Sequence, residues 1–164
     1  MLIGLISDTH GLVRPDVHTA LSGVDLILHA GDVGGDEILM ELALIAPVRA
    51  VFGNTDPPDA SSLTERIDDT FDGVRVHVSH GHELGAPRVG FLLAAYDADV
   101  IVYGHTHKSL VHRSGDGRLV VNPGAAGPQR FDLAPSVARL TLSAGRADVV
   151  IVELAGVEGP SPEV

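Results

Sequence analysis

The 164-residue sequence predicts an α/β fold of mixed β-sheet with a few helices outside it. Three observations carry that prediction. The first third of the chain reads strand, helix, strand, helix, strand. Hairpin signals follow, at Asp72-Gly73, around Ser114-Gly115-Asp116-Gly117 and around Ser143-Ala144-Gly145-Arg146. Five apolar runs stop at residues of metal-ligand type, which is where sheets of this class place a ligand, beyond the carboxyl ends of the strands.

The elements follow in order. Leu2-Ile3-Gly4-Leu5-Ile6 is apolar throughout, as in a strand covered on both faces. Pro15 opens a short helix to about Leu21, because a missing N–H costs nothing at an early helical position. Asp25 to Ala30 is a second buried strand. Asp36 is expected to cap a helix over Glu37 to Ile45, whose Ile38, Leu39, Leu42 and Ile45 recur at helical spacing. Val48 to Phe52 is the third strand. Glu65 to Phe71 and Val74 to Ser79 should pair antiparallel. Val89 to Tyr96 reads as a helix with Phe91, Leu92 and Ala95 inward, feeding the strand that ends at Tyr103. Ser109 to Arg113 with Arg118 to Val121, and Val137 to Leu142 with Asp148 to Leu154, form two more hairpins. One domain over residues 1–155 and a flexible tail over 156–164 are expected, since Gly159-Pro160 and Pro162 suit a frayed end.

Composition narrows the function. No apolar stretch reaches the roughly 20 residues needed to span a bilayer, and the start lacks the basic residues of a secretory signal, so a cytoplasmic protein without membrane partners is expected. The absence of cysteine excludes disulfides, thiolate metal sites and a thiol nucleophile. Lys and Arg number 11 against 22 Asp and Glu, giving a net charge of -11 and a pI near 5.0. That leaves no basic surface for extended nucleic-acid binding.

The five run ends are Asp8 and His10, Asp32 after Gly31, Asn54 after Gly53, His80, and His105 with His107 after Gly104. Together they offer two carboxylates, one amide and four imidazoles, more than one cation can use. Two divalent cations about 3.5 to 4 Å apart, sharing a carboxylate, could use them, an arrangement suited to in-line displacement at phosphorus. Mixed nitrogen and oxygen ligands favour Mn²⁺, Ni²⁺, Zn²⁺, Fe or Co²⁺ over Mg²⁺, and two such ions per chain, Mn²⁺ preferred, are expected.

The blocks Asp8-Thr9-His10, Gly31-Asp32, Gly53-Asn54-Thr55-Asp56, His80-Gly81-His82 and Gly104-His105-Thr106-His107 resemble, in order, those of the calcineurin-like metallophosphoesterases, and within them the small bacterial and archaeal phosphodiesterase branch. Asn122-Pro123-Gly124 resembles a further turn of that branch. The resemblance implies a four-layer α/β/β/α sandwich of two mixed β-sheets flanked by helices. It implies that Asp8, His10 and His107 hold one metal, that Asn54, His80 and His105 hold the other, and that Asp32 bridges. A metal-bridging hydroxide would then attack phosphorus, with Asp32 and Asn54 in the catalytic centre and Asn54 also meeting the substrate. Many members carry His between the Asn and Asp of the third block, where this chain has Thr55. Losing a positioned acid costs about 10² to 10⁴ in rate, least for stable leaving groups, so a diesterase of aryl-type esters is expected. General acid catalysis is therefore in doubt, and His82 is the residue that could supply the missing proton. Ala125 stands where related turns often carry Ser, implying one phosphate contact fewer.

Asp56 is expected to orient a ligand such as His10 from behind, and His29 to be a core or ligand-supporting histidine. His18, His77 and His112 read as structural or surface residues. Arg130, in Gly127-Pro128-Gln129-Arg130, is a candidate to steady a substrate phosphate, though a lone loop arginine is more often solvated. Short spacers leave no room for a lid, so the site should be open to a small phosphodiester. The competing function is a metal-stabilised protein-binding scaffold with little or no catalysis, which would tolerate eroded ligands. A nuclease is disfavoured by the acidic balance. Hairpin edges leave room for a homo-oligomer.

Overall fold

Ten strands pair into two five-stranded mixed sheets in the computed structural model, which describes residues 1–155. The tail expected over 156–164 lies outside the described residues. In the first sheet β1 (Leu2–Ile6), β2 (Leu26–His29) and β3 (Val48–Ala50) run parallel. The second contains β4 (Ile67–Phe71), β5 (Val74–Val78), β6 (Val100–Val102), β7 (Leu110–Arg113) and β8 (Leu119–Asn122), in the order β4-β5-β6-β8-β7 with a parallel centre and antiparallel outer strands. β9 (Ser136–Ser143) and β10 (Arg146–Glu153) return to the first sheet and extend it antiparallel beyond β1. Helices α1 (Pro15–Ala20), α2 (Asp36–Leu42) and α3 (Val89–Ala95) are short.

Alternation along the strands explains why they read as continuous apolar runs. Ile3, Leu5 and Leu28 of the first sheet meet Val76, Val78, Val100, Val102 and Val121 of the second in a shared core. The intervening Ile6 and Ile27 face the other way, onto Val17 and Leu21 of the α1 region and Ile38 and Leu42 of α2. Ile101 and Val120 of the second sheet back onto Leu92 of α3. Helices, sheet, sheet and helix therefore stack as four layers, and each central strand is covered on both sides.

Turn chemistry holds the hairpins in register. Asp72 and Gly73 both have positive φ, 47° and 77°, as do Ala144 and Gly145, 50° and 77°. This is the backbone a two-residue hairpin with right-handed strand twist requires.

Three local expectations are corrected. Phe91 is 56% exposed and Ala95 is exposed, so neither points inward. The stripe instead starts at Val89 and continues through Leu92, Leu93 and Tyr96, and a residue two past Val89 lies about 200° around the helix. Asp36 is the first residue of α2 rather than its cap, and its carboxylate accepts the Ser62 hydroxyl at 2.6 Å. The helix ends at Leu42, so Ile45 packs from the turn that follows.

Candidate metal centre

Parallel strands end on one side of a sheet, and here the ends of β1, β2 and β3 meet those of β5 and β6. Backbone bonds knit the emerging loops together. The Asp8 amide donates to the Gly31 carbonyl at 3.0 Å, the His10 amide to Asp32 at 3.0 Å and the Gly104 amide to His80 at 3.0 Å. Two glycines permit this approach. A Cβ on Gly53 would overlap Asp32, and one on Gly104 would overlap Ser7. Asp8, His10, Asp32, His105 and His107 all have φ between 46° and 69°, the left-handed region that non-glycine residues rarely enter. Five bent residues at one place mark a backbone held against its preference by the fold around it.

The side chains converge as a result. Asp8 Oδ1 lies 3.3 Å from His107 Nε2 and 3.8 Å from His10 Nε2, and the two imidazole nitrogens are 3.4 Å apart. His80 Nε2 lies 3.3 Å from Asp32 Oδ2 and 3.0 Å from Asn54 Oδ1, which in turn is 3.1 Å from His105 Nδ1. Asp32 Oδ2 is also 3.7 Å from His10 Nε2, so one carboxylate oxygen stands between both groups. Atoms that share a cation at about 2.0 to 2.2 Å sit at such separations from one another.

Each ligand is aimed by a partner behind it. Asp8 Oδ2 accepts the Ser7 hydroxyl at 2.7 Å and the His105 amide at 3.1 Å, while Oδ1 is buried without a partner. An orphaned carboxylate oxygen facing three imidazoles fits a ligand to a divalent cation. His80 Nδ1 donates to the Ala30 carbonyl at 2.7 Å, which leaves Nε2 with the lone pair. The Thr55 amide donates to Asp32 Oδ1 at 3.0 Å, which frees Oδ2.

The charges agree with the geometry. Burial raises the Asp8 and Asp32 carboxyls, but the facing His107 and His80 imidazoles with the Ser7 hydroxyl in one case, and His80 with Thr55 in the other, outweigh it and hold both below the usual carboxylate range. Burial lowers His10 and His105, favouring the neutral imidazole that a metal takes. For His80 burial also opposes charge, but Asp32 and Asp8 prevail and raise its pKa, so a cation there displaces a proton.

A sequence profile described as the calcineurin-like phosphoesterase superfamily domain matches residues 1–145. The chain belongs to that superfamily. This phosphoesterase-family chain is 33% identical over 160 residues to a probable metallophosphoesterase of Methanothermobacter thermautotrophicus, spanning 93% of this chain and 92% of the relative. It is 28% identical over 142 residues to a phosphodiesterase of Methanocaldococcus jannaschii, spanning 76% of this chain and 83% of that one. Among solved structures, zinc-complexed Vps29 from Entamoeba histolytica is 25% identical with a TM-score of 0.75, covering 93% of this chain and 99% of that one.

The remaining predicted residues of this phosphoesterase-family chain fall in different places. Asp56 does not hold His10. Its carboxylate accepts the amides of Val33, Gly34 and Gly53 at 2.9 to 3.1 Å, satisfying donors of two ligand loops that no other backbone group reaches. His29 is fully buried between the Thr9 hydroxyl at 2.9 Å and the Gly31 amide at 3.1 Å, and burial pushes its pKa down to about 4. His82 flanks the His80 and His105 side, with ring centroids 5.4 and 6.4 Å away. Arg130 lies near enough to His10 for its charge to help lower that imidazole, after burial. His18 pairs with Glu41, His77 is buried between Asp68 and Ser79, and His112 is exposed.

Further supports act through partners that the sequence does not identify, although the Asn122-Pro123-Gly124 turn itself carries a family resemblance. Buried Asn122 donates from Nδ2 to the Gly104 carbonyl and the Thr106 hydroxyl, both at 3.0 Å, and so pins the loop carrying His105 and His107. Arg14, 4% exposed, donates to the Gly127 carbonyl at 3.0 Å, fixing the segment that packs on Thr9. A cavity of about 570 Å³ lies away from the metal ligands, and Arg113, Arg118 and Arg146 line it with Asp99, Asp116 and Asp148.

Proposed function

We propose that this chain is a dinuclear-metal-dependent phosphodiesterase acting on small phosphodiesters. The observation that carries the reading is Asp32 Oδ2, 3.7 Å from His10 Nε2 and 3.3 Å from His80 Nε2, a carboxylate shared by two ligand groups. Asp8, His10, Asp32 and His107 would hold one divalent cation, and Asp32, Asn54, His80 and His105 the other, with Mn²⁺ preferred. Such a pair supplies Lewis acidity at phosphorus and acidified water at neutral pH.

The protein's own groups do the rest. Ser7, Ala30 and Thr55 hold Asp8, His80 and Asp32 in fixed orientation, so little reorganisation accompanies reaction. The position between Asn54 and Asp56 is an exposed threonine, which donates no proton at neutral pH, so diesters with stable leaving groups are favoured over alkyl monoesters. His82, with 31% of its side chain exposed, is the imidazole left to meet a leaving group. Arg130 is placed to receive substrate phosphate on the His10 side. A net charge of -11 opposes extended nucleic acid. The M. jannaschii relative named a phosphodiesterase supports the reading.

A metal-stabilised binding scaffold is the second reading, favoured by the likeness to Vps29, called vacuolar protein sorting 29 in the Cryptosporidium parvum structure. All seven ligand positions retain competent side chains here. Hydrolysis of bis-p-nitrophenyl phosphate beside p-nitrophenyl phosphate decides, using metal-stripped protein with Mn²⁺, Ni²⁺, Zn²⁺ or Mg²⁺ restored. Metal-dependent diester cleavage lost in Asp32→Ala is the expected result. No turnover despite metal binding would establish the scaffold.

A further inference from the structure

A small pocket of about 70 Å³ is walled by Phe52, Glu65, Arg66, Ser79, His82, Glu83 and Tyr96, and Ser79 directly precedes the ligand His80 in the chain. Two of those walls come from the loops that supply ligands. Phe52 precedes Gly53-Asn54, and His82 follows His80 by two residues. The His82 ring lines this pocket with its centroid 6.5 Å from that of Phe52 and 5.4 Å from that of the ligand His80. We propose that this pocket is the subsite for one aryl arm of the phosphodiester, a neutral single ring seated against Phe52 and His82. The inference rests on the phosphodiesterase reading of the adjoining centre.

The lining chooses that ligand. Phe52 offers an aromatic face or edge, and offset or edge-to-face ring pairs attract beyond the area they bury. A second phosphate is excluded by charge. Glu65 and Glu83 outnumber Arg66, whose guanidinium is already 3.2 Å from Asp68. Glu83 is locked, accepting the Gly81 amide at 2.9 Å and the Tyr96 hydroxyl at 2.7 Å, so the wall is preorganised. Among the described residues two buried side-chain polar atoms lack a partner, Asp8 Oδ1 in the metal cluster and His82 Nδ1 beside this pocket.

Phenol is the probe. Titrated into metal-free and Zn²⁺-loaded protein, it should shift the ring NMR signals of Phe52, His82 and Tyr96 saturably, and Phe52→Ala should abolish saturation without changing Zn²⁺ affinity. The same variant should raise KM for bis-p-nitrophenyl phosphate roughly tenfold, about what one lost ring contact is worth. Phe52→Leu keeps the apolar bulk without the ring and guards against a folding defect, and it should weaken phenol binding in the same direction. Absence of saturable shifts in the native protein, or shifts that survive both variants, would overturn the subsite even if diesters are cleaved. Phenol binding at Phe52 without any diester turnover would uphold the pocket and refute the phosphodiesterase reading.

Discussion

His29 sits fully buried at the back of the metal centre, and its pKa near 4 makes folding stability depend on pH in a calculable way. In the unfolded chain the same imidazole titrates near about 6.5. Below that value the unfolded state takes up a proton that the folded state refuses, so stability falls as pH drops and the loss is complete only below about 4. A separation of about 2.5 pH units at 1.36 kcal/mol per unit comes to about 3 kcal/mol in total, of which about 2 kcal/mol is lost between pH 8 and pH 5. His29→Gln removes the titration while adding its own constant offset from altered bonds to Thr9 and Gly31. Urea unfolding at both pH values in EDTA separates the two effects, because the offset cancels in the difference. The native protein should lose about 2 kcal/mol more than the variant on going from pH 8 to pH 5. Parallel losses would refute the claim that a neutral, buried His29 underlies the site.

Four further outcomes are expected. Leu92→Ala should cost about 2 to 5 kcal/mol by chemical denaturation, whereas Phe91→Ala should stay within about 0.5 kcal/mol, because only Leu92 is buried. Asn122→Ala removes two bonds to the His105 and His107 loop and should weaken Mn²⁺ affinity about 10- to 100-fold by calorimetry, with little change in secondary structure by circular dichroism. Gly53→Ala places a methyl group on the Asp32 carboxylate and should abolish tight binding of a second cation before it unfolds the chain, read by metal titration. His82→Ala should lower kcat for diesters with poor leaving groups about 100-fold while leaving kcat for bis-p-nitrophenyl phosphate nearly unchanged, and equal losses of kcat on both would remove His82 as a proton donor.

The parts of the fold written in local chemistry were readable from the sequence. Apolar runs covered on both faces announced the strands, Asp72-Gly73 announced its hairpin, and Asp8, Asp32, Asn54, His80 and His105 were conspicuous because each follows such a run. What was not readable depends on partners distant in the chain. Asp56 bonds backbone amides 22 and 23 residues away as well as its neighbour Gly53, and an amide donor has no residue type to betray it. Asn122 and Arg14 likewise act on carbonyls, across 18 and 113 residues. Phe91 misled because a seven-residue helix holds too few positions for its apolar stripe to outweigh one large exposed ring. The left-handed backbone of His10, Asp32 and His107 follows from the assembled loops, since none of these residue types demands it locally.

The central claim is that Asp32 joins two cations in one centre. Metal-stripped protein titrated with Mn²⁺ and followed by calorimetry and electron paramagnetic resonance tests it most directly. Two ions per chain with an exchange-coupled spectrum, collapsing to one uncoupled ion in Asp32→Asn, is the predicted result. One uncoupled ion per native chain would contradict the account.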